Sequence, residues 1–343
     1  MTPPVTIGLV GVGFARQVLA PAFRADPRCR LGAISARDAG RAQEASAALG
    51  LPRAYGDWRA LIGDPAVQAV AIAVPPGAQA EIAIAAARAG KHVFCEKPLA
   101  LDASQAAEML AAAETTRVAH AVDFIFPEIP AWRKAKELLP AVGRVRHVAL
   151  TWRLETYAYR VGLQNWKMSP TDGGGTLNNF VSHTFYYLEW LFGPLARLAA
   201  SLRPAAPAAD AGVELWLDFA AGFRATVSVA ADTPFGPGHG LGIYGDGGAL
   251  RLHNPTSDYA NGFTLALGTR AGGRLEPVSA PDENPAQDGR IAAVSRIASR
   301  FLDAALGGTP VTPGLREGLR VQRLLDLARA ADRTGGWHAA PAP

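Results

Sequence analysis

The first third of the chain alternates short apolar stretches with longer alanine- and arginine-rich stretches, and this alternation constrains the fold most strongly. Five apolar stretches predict strands: Thr6–Val10, Arg30–Ser35, Ala69–Val74, Lys91–Cys95 and Val118–Asp123. The stretches between them predict helices: Phe14–Arg24, Ala39–Leu49, Ala78–Ala89 and Ser104–Thr115. Strands that alternate with helices form a parallel sheet covered by helices on both faces. The sequence therefore predicts a doubly wound α/β domain.

The pattern changes in the rest of the chain. Val145–Leu154 predicts a long strand, and Val181–Phe192 predicts an apolar helix, since a glycine and a proline follow it. Glycine-containing turns separate two pairs of strands and predict hairpins: Val213–Phe219 with Phe223–Ala230, and Leu241–Tyr244 with Ala249–His253. Alternating apolar and polar residues in Val213–Phe219 predict an antiparallel sheet with one face against a core.

With 343 residues, the chain is long enough for two domains. We expect a first domain over residues 1–122 and a second α/β domain over residues 123–343, with a large, mainly antiparallel open sheet. Two helices, near Ile291–Leu306 and Leu315–Thr334, are expected to close the chain. The proline- and alanine-rich stretch Arg203–Ala209 predicts a loop.

Composition excludes several classes of function. The net charge of +4 is modest and the arginines are scattered, which argues against a nucleic-acid-binding protein. The two cysteines, Cys29 and Cys95, form no CxxC pattern, so we expect a reducing compartment and neither a disulfide framework nor a metal site. No signal-peptide pattern opens the sequence and no apolar run is long enough to span a membrane. We therefore expect a soluble, cytoplasmic protein.

A glycine-containing turn, GVGFAR at Gly11–Arg16, follows the first predicted strand and opens the first helix. Glycines allow a tight turn and let the backbone approach a pyrophosphate, which the positive end of the helix then holds. This pattern makes Gly11, Gly13, Phe14 and Ala15 candidates for binding a dinucleotide. Arg16 stands where a third glycine is usual, and a tight turn without a ligand is the alternative.

The end of the second predicted strand indicates which dinucleotide binds. An NAD site places a carboxylate about 20 residues after the glycines, to bind the ribose hydroxyls. This chain has Ser35-Ala36-Arg37 instead. A guanidinium and a hydroxyl would bind a 2′-phosphate, so Ser35 and Arg37 predict NADP, with NAD as a second possibility. A solvated loop arginine is the alternative.

Four segments together resemble the Gfo/Idh/MocA oxidoreductase family in order and spacing: GVGFAR, AVAIAVPP, AGKHVFCEKPLA and GGGTLNNFVSHTFYYLEWLFG. The resemblance covers essentially the whole chain. It implies a Rossmann domain followed by an α/β domain whose sheet often serves oligomer contacts. It further implies a nicotinamide cofactor, a sugar, cyclitol or similar polyhydroxylated substrate, and a homodimer or homotetramer.

The resemblance also assigns roles around Glu96-Lys97-Pro98. It places Lys97 beside the nicotinamide and the substrate hydroxyl, and it allows a cis peptide before the proline. Lys97 follows a predicted strand, and open α/β sheets bind ligands beyond the carboxyl ends of their strands. A surface ion pair at a strand end is the alternative. Further cofactor-binding candidates are Glu96, Val74, Pro75 and Gln79, the last standing where a histidine is usual.

A second group of candidate catalytic residues lies in the segment Asn179–His183. Residues four apart on a helix share a face, so Asn179 and His183 are expected to point into the same volume. The family usually carries an aspartate at the first of these positions. An amide can hydrogen-bond but cannot relay a proton, so proton transfer would fall to Lys97 and His183. For His183, a buried histidine with a purely structural hydrogen bond is the alternative.

Aromatic and basic residues follow the long predicted strand, at Tyr157, Tyr159, Arg160, Trp166 and Lys167. Such side chains suit a sugar that carries an acidic group, and ordinary packing is the alternative. With Phe124, Lys97, Asn179 and His183, we take Tyr157, Trp166 and Lys167 as candidate substrate-binding residues.

The sequence thus predicts an NADP-preferring dehydrogenase or reductase that acts on CH–OH groups. Two alternatives remain open: an NADP(H)-binding regulator without turnover, and an enzyme that oxidises a sugar transiently to eliminate or hydrolyse it.

Overall fold

The computed structural model describes residues 3–205, 208–284 and 286–342, which divide into two compact units. The first unit comprises Met1–Phe124 and Arg290–Gln322, and the second comprises Ile125–Gly289 and Arg323–Pro343. The segment Arg290–Gln322, from the last third of the chain, thus groups with the N-terminal unit. The boundary that we place after residue 122 from the sequence stays a prediction.

The first unit is built on a parallel sheet of six strands. In chain order they are β1 Val5–Val10, β2 Cys29–Ser35, β3 Ala54–Tyr55, β4 Ala69–Ile72, β5 His92–Cys95 and β6 His120–Val122. Their order in the sheet is β3-β2-β1-β4-β5-β6, and all neighbours pair in parallel. This is the strand order of a dinucleotide-binding Rossmann domain. Successive strands are added on one side of β1 up to β3 and on the other side from β4 onwards, so the order reverses between β1 and β4. The predicted doubly wound domain is confirmed.

Helices connect these strands. They are a π-helical turn Ala15–Leu19 continued by Ala20–Arg24, then Ala39–Leu49, Trp58–Gly63, Pro76–Arg88 and Ala103–Thr116. Two later helices contribute to this unit through the segment Arg290–Gln322. They are Gly289–Ala305, which lies almost entirely within the segment, and Leu315–Thr334, of which only the first part does. Phe23, Phe94 and Phe301 meet edge to face, with ring centroids 5.2 to 6.2 Å apart. Phe301 therefore belongs to the same aromatic core as the first helix and β5.

The second unit is built on a mixed sheet of nine strands. In chain order they are β7 Val145–Arg153, β8 Leu195–Ala205, β9 Ala208–Phe219, β10 Arg224–Ala230, β11 Gly238–Gly245, β12 Gly248–Asn254, β13 Thr264–Thr269, β14 Leu275–Val278 and β15 His338–Ala339. Their order is β14-β13-β12-β11-β7-β10-β9-β8-β15, and only β7 and β10 pair in parallel. The predicted mainly antiparallel sheet is confirmed, with both predicted hairpins.

One face of this sheet is covered and the other is open to solvent. In β9, Val213, Leu215, Leu217 and Phe219 are all buried, whereas Trp216 between them is 42% exposed. The helical segments of the unit are the 3₁₀ turn Phe126–Glu128, Pro130–Val142, Tyr157–Arg160, the 3₁₀ turn Trp166–Met168, the π-helical turn Leu177–Val181 and Ser182–Phe192. Trp132, Phe185 and Tyr187, from two of these helices, have no exposed surface.

One prediction in the second unit is wrong. Within the stretch predicted as a loop, Arg203–Ala209, residues 203–205 end β8 and residues 208–209 begin β9; residues 206 and 207 lie outside the described residues. Pairing of these two strands in antiparallel register overrides the weak strand propensity of alanine and proline. The predicted helix Val181–Phe192 is confirmed as Ser182–Phe192, and the π-helical turn Leu177–Val181 directly precedes it.

Candidate active site

The glycine turn lies where the order of the parallel sheet reverses. Gly11 follows β1 with a φ of +106°, and a Cβ atom on it would lie 2.3 Å from the carbonyl oxygen of Ala73. Only glycine therefore fits at this position. Ala73 follows β4, so the turn and the β4 end flank the crevice in which open α/β sheets bind ligands.

Space and charge beside this turn suit a dinucleotide. A Cβ atom on Gly13 would meet nothing within 4 Å, so the backbone there is open to close approach. The helical segment that begins at Ala15 follows directly. The guanidinium of Arg290 lies 5.2 Å from the centroid of the Phe14 ring. These features fit a pyrophosphate held at a helix N-terminus with a cation nearby.

The end of β2 presents one exposed cation. Ser35 is only 1% exposed, whereas Arg37 is exposed. The neighbouring Asp38 accepts a hydrogen bond from the backbone N–H of Arg41 and caps the helix Ala39–Leu49. Its carboxylate therefore has a local structural role. Of the two residues predicted to bind a 2′-phosphate, Arg37 is the one whose side chain reaches solvent.

Gln79 braces the loop that carries Lys97. It lies in the helix Pro76–Arg88, has no exposed surface, and its Nε2 donates to the backbone oxygens of Glu96, Pro98 and Leu99 at 2.6, 3.1 and 3.1 Å. The Lys97–Pro98 peptide bond in this loop is cis. The predicted contact of Gln79 with a cofactor stays a prediction. The structure shows that the buried side-chain amide of Gln79 fixes the backbone of this loop.

Two carboxyl groups lie beside Lys97. Glu96 directly follows β5 and Asp123 directly follows β6, and these two strands are adjacent and parallel. The backbone N–H of Asp123 donates to the carbonyl oxygen of Cys95 at 2.9 Å. Burial, followed by the charge of Glu96, raises the pKa of Asp123 well above its usual range, while Lys97 and Arg290 oppose this rise.

In the second unit, polar contacts fix the start of the helix that carries Asn179 and His183. The backbone N–H of Leu177 donates to the Asp210 carboxylate at 2.8 Å, and the Arg329 guanidinium donates to Asn178 Oδ1 at 2.5 Å. Asn179 Nδ2 donates to the carbonyl oxygen of Gly175 at 2.9 Å. The π-helical turn that results is a feature frequently found at functional sites.

His183 lies against an aromatic ring. It is 7% exposed, and the Phe126 ring meets it edge to face at 5.1 Å. Phe126 also contacts the ring of His239, which stacks on Trp152 at 4.2 Å and hydrogen-bonds the Tyr187 hydroxyl at 3.0 Å. Burial lowers the pKa of His239 to about 3, so this second histidine is neutral at pH 7.

The predicted substrate loop is tied to the same helix. The carbonyl oxygen of Lys167 accepts a hydrogen bond from Gly175 N–H at 2.9 Å, and a Cβ atom on Gly174 would lie 2.5 Å from it. Trp166 is half-buried, while Lys167 and Tyr157 are exposed. The structure thus brings the Trp166–Met168 turn close to the start of the Asn179 helix.

The predicted site residues therefore fall into two groups. Within the first unit lie Gly11, Gly13, Phe14, Ala15, Ser35, Arg37, Val74, Pro75, Gln79, Glu96, Lys97 and Phe124. Within the second lie Tyr157, Trp166, Lys167, Asn179 and His183. The catalytic, cofactor-binding and substrate-binding roles assigned to them stay predictions.

Several residues that shape these groups were not predicted from the sequence. Asp123 carried a usable signal, because it ends a predicted strand next to the one that Glu96 follows. Arg290, Asp210 and Arg329 carried none, because each lies at least 33 positions from the residue that it contacts, and no local pattern links such distant positions.

Comparison with known proteins agrees with both units. Residues 5–124 match the GFO/IDH/MocA oxidoreductase family with its NAD-binding Rossmann fold, and residues 132–251 match the GFO/IDH/MocA C-terminal domain. An uncharacterised oxidoreductase of Synechocystis sp. is 32% identical, over 99% of this chain and 97% of its own length. This chain belongs to the Gfo/Idh/MocA oxidoreductase family.

Other members of the Gfo/Idh/MocA family are similar over part or all of the chain. Levoglucosan dehydrogenase of Pseudarthrobacter phenanthrenivorans is 32% identical over 58% of this chain and 54% of its own. D-xylose 1-dehydrogenase (NADP(+)) 2 of Haloferax volcanii is 29% identical over 66% and 69%. A solved structure of levoglucosan dehydrogenase with NADH and levoglucosan shares the fold, with a TM-score of 0.87, 24% identity and coverage of 99% and 100%.

The described residues include neither a helix suited to span a membrane nor a cluster suited to hold a metal ion. No helix in residues 3–205, 208–284 and 286–342 is both long and apolar enough to cross a membrane. The same residues contain no cluster of three or more His, Cys, Asp or Glu side chains placed to hold a metal ion.

Proposed function

We propose that the protein is an NADP-preferring dehydrogenase or reductase that acts on a CH–OH group of a sugar, cyclitol or sugar derivative. The position of Lys97 is the main support for this proposal. Lys97 follows β5 and the glycine turn follows β1, so both lie at the carboxyl ends of strands in the same parallel sheet. A lysine there can exchange a proton with a substrate hydroxyl. The names of the relatives support the substrate class, because levoglucosan and D-xylose are carbohydrates.

In the proposed site, the first unit binds the cofactor. Gly11, Gly13, Phe14 and Ala15 hold the pyrophosphate, and Arg37 binds the 2′-phosphate with Ser35 beside it. Val74, Pro75, Gln79 and Glu96 complete the cofactor-binding set. The cofactor would supply hydride exchange at nicotinamide C4.

The substrate hydroxyl is handled by three side chains. Lys97 and His183 exchange its proton, since both can gain and lose a proton near neutral pH when partly buried. Asn179 orients the hydroxyl by hydrogen bonding, because an amide has no proton to give up at this pH. Phe124, Tyr157, Trp166 and Lys167 contact the rest of the substrate.

A turnover panel tests the function. We expect nicotinamide absorbance to change when the protein is mixed with NADP⁺ and one of levoglucosan, D-xylose or myo-inositol, or with NADPH and the corresponding ketone or lactone. A protein that binds NADPH tightly but turns over no carbohydrate or cyclitol would support the regulator instead. Product formation from a sugar without net absorbance change would support transient oxidation.

Arg37 is expected to set the cofactor preference. Replacing it in Arg37→Ala removes a charge-assisted contact to phosphate, so NADPH affinity should fall on the order of 10-fold while NADH affinity is unchanged. Arg41→Ala, which removes another exposed arginine from the following helix, is the matched control. Equal affinities of Arg37→Ala and the original protein for NADPH, measured by fluorescence titration, would rule out this role.

A further inference from the structure

The sheet geometry holds Glu96 and Asp123 side by side. Cys95 and Val122 are register partners in adjacent parallel strands, and each acidic residue comes next in its strand direction. Two hydrogen bonds fix the backbones: Asp123 N–H donates to the Cys95 oxygen at 2.9 Å, and Glu96 N–H donates to the Ile72 oxygen at 3.0 Å. The side chain of Glu96 lies within hydrogen-bonding reach of Asp123.

One oxygen of each carboxyl group accepts no hydrogen bond from the described residues. Asp123 is 2% exposed, and its Oδ1 and the Oε1 of Glu96 are buried without a hydrogen-bond partner among the described residues. Ionised carboxylates only accept hydrogen bonds, so two of them cannot satisfy each other. A single proton between the two groups turns this repulsive contact into a strong hydrogen bond.

We propose that Asp123 is a positioning residue for Lys97: its carboxyl group shares one proton with Glu96, which holds the Glu96 side chain in place and limits the pair to one negative charge. This inference rests on the proposed function of Lys97. The charged groups that face Asp123 are Glu96, Lys97 and Arg290. The backbone N–H of Lys97 donates to Glu96 Oε2 at 3.3 Å, so the orientation of Glu96 is coupled to the lysine loop.

The number of charges on the pair determines how Lys97 behaves. One negative charge stabilises the lysine ammonium to a limited extent, whereas a second would stabilise it further and hinder release of its proton. The pair therefore keeps Lys97 able to exchange a proton in the proposed reaction. Asp123 acts through Lys97 and needs no contact with the substrate.

Infrared spectroscopy of the unliganded protein tests the shared proton without any substrate. We expect the C=O stretch of a protonated carboxylic acid at pH 7, lost in Asp123→Asn and retained in Asp210→Asn, which removes a mostly buried aspartate whose pKa is also raised. Absence of this band from the original protein, or its persistence in Asp123→Asn, would overturn the proposal.

Nuclear magnetic resonance reports the effect on Lys97. The chain has only five lysines, at positions 91, 97, 134, 136 and 167, so the Lys97 signal can be assigned by its loss in Lys97→Ala. In the original protein we expect this signal to show a second inflection at alkaline pH, where the pair loses its proton. Asp123→Asn should show a single inflection. Identical curves for the two proteins would contradict the proposal.

Turnover separates this inference from the proposed function. Asp123→Ala should lower kcat on the order of 10²-fold by misplacing Lys97, and Asp123→Asn, whose amide still donates to Glu96, should recover at least a tenfold part of the loss. The control Asp64→Asn alters a carboxylate bound to Tyr55 and Arg53, remote in sequence from Lys97. Turnover that requires Lys97 but shows no carboxylic acid band would leave the function standing and remove the role of Asp123.

Discussion

Lys97 is one of only five lysines in a chain that has 34 lysine and arginine residues, and the proposed reaction assigns it a proton-exchanging role. An arginine keeps its proton at any pH that a protein tolerates, so it cannot replace lysine as a proton-exchanging group. Lys91, at the opposite end of the same strand, shows the contrasting use. Its ammonium donates to the backbone oxygens of Asp64 and Val67 at 3.1 and 2.6 Å and only braces a turn.

These two lysines form a matched pair for kinetics. Lys97→Ala is expected to lower kcat by about 10²–10⁴, the usual contribution of one proton-transfer group, with little change in NADPH affinity. Lys91→Ala should leave kcat unchanged. Steady-state rates and cofactor titrations measure both effects, and near-normal turnover by Lys97→Ala would remove the lysine from the mechanism.

At the scale of single residues, sequence motifs located Lys97, Asn179 and His183, because each lies in a short contiguous pattern. The motifs could not show what surrounds these residues. Asn179 donates to the Gly175 carbonyl oxygen, a contact in which an aspartate would place a second acceptor against an acceptor. An amide, which can donate, therefore suits this position better than a carboxylate. The sequence could not show this, because the contact depends on the three-dimensional structure.

The helix that begins at Leu177 depends on a residue from a distant strand. Asp210 in β9 accepts the Leu177 N–H and is mostly buried, which raises the pKa of its carboxyl group. We expect Asp210→Ala to lower the free energy of unfolding by about 1–3 kcal/mol, because it leaves a buried N–H without an acceptor. Asp210→Asn keeps an acceptor and should be closer to the original in urea unfolding. Equal losses for the two variants would contradict a capping role.

His239 makes the aromatic core of the second unit sensitive to acid. Burial lowers its pKa from 6.5 to about 3, so the folded state binds its proton less readily than the unfolded state. Its neutral form stabilises the fold fully above pH 6.5, and this contribution is lost progressively as the pH falls from 6.5 towards 3. His239→Gln, which does not titrate, should lose less stability than the original between pH 7 and pH 5 in denaturant titrations.

Helices and strands could be predicted from the sequence where a local pattern of residues determines them. The hairpin of β11 and β12 follows from a glycine-rich turn between apolar runs. In contrast, β8, β13 and β14 were missed, because their pairing with neighbouring strands, and not their own composition, makes them strands. Sequence patterns also gave no indication of the two π-helical turns, Ala15–Leu19 and Leu177–Val181.

Within the first unit, an ion-pair cluster ties the late segment to the early strands. Arg28, just before β2, donates to Asp26 at 2.6 Å, to the Ser299 hydroxyl at 2.9 Å and to the Asp303 carboxylate. The Arg28 hydrogen bond lowers the pKa of Asp26 to about 2. The cluster thus stabilises the fold above the ordinary aspartate pKa of 3.8, and this contribution is lost as the pH falls from there towards 2.

Asp26→Asn should remove this acid sensitivity. We expect a loss of about 1 kcal/mol at pH 7, a modest value because water screens the 37% exposed arginine, and little difference from the original near pH 2. Asp57→Asn, which affects a pair exposed on both sides, is the control. A constant difference between Asp26→Asn and the original at all pH values, in thermal unfolding, would argue against the ion pair as its cause.

The return of residues 290–322 to the first unit also determines how this enzyme can be recombined with its relatives. A hybrid made with one crossover near residue 124 would combine the β5 aromatic core of one parent with the Phe301 helix of the other. A chimera that inherits each unit intact needs three junctions, near residues 124, 289 and 322, and the last falls inside the helix Leu315–Thr334. A graft of the second unit, which carries Asn179 and His183 of the proposed site, therefore requires the donor's residues 125–289 as an insert together with its residues 323–343. The two ends of the helix Leu315–Thr334 then come from different parents.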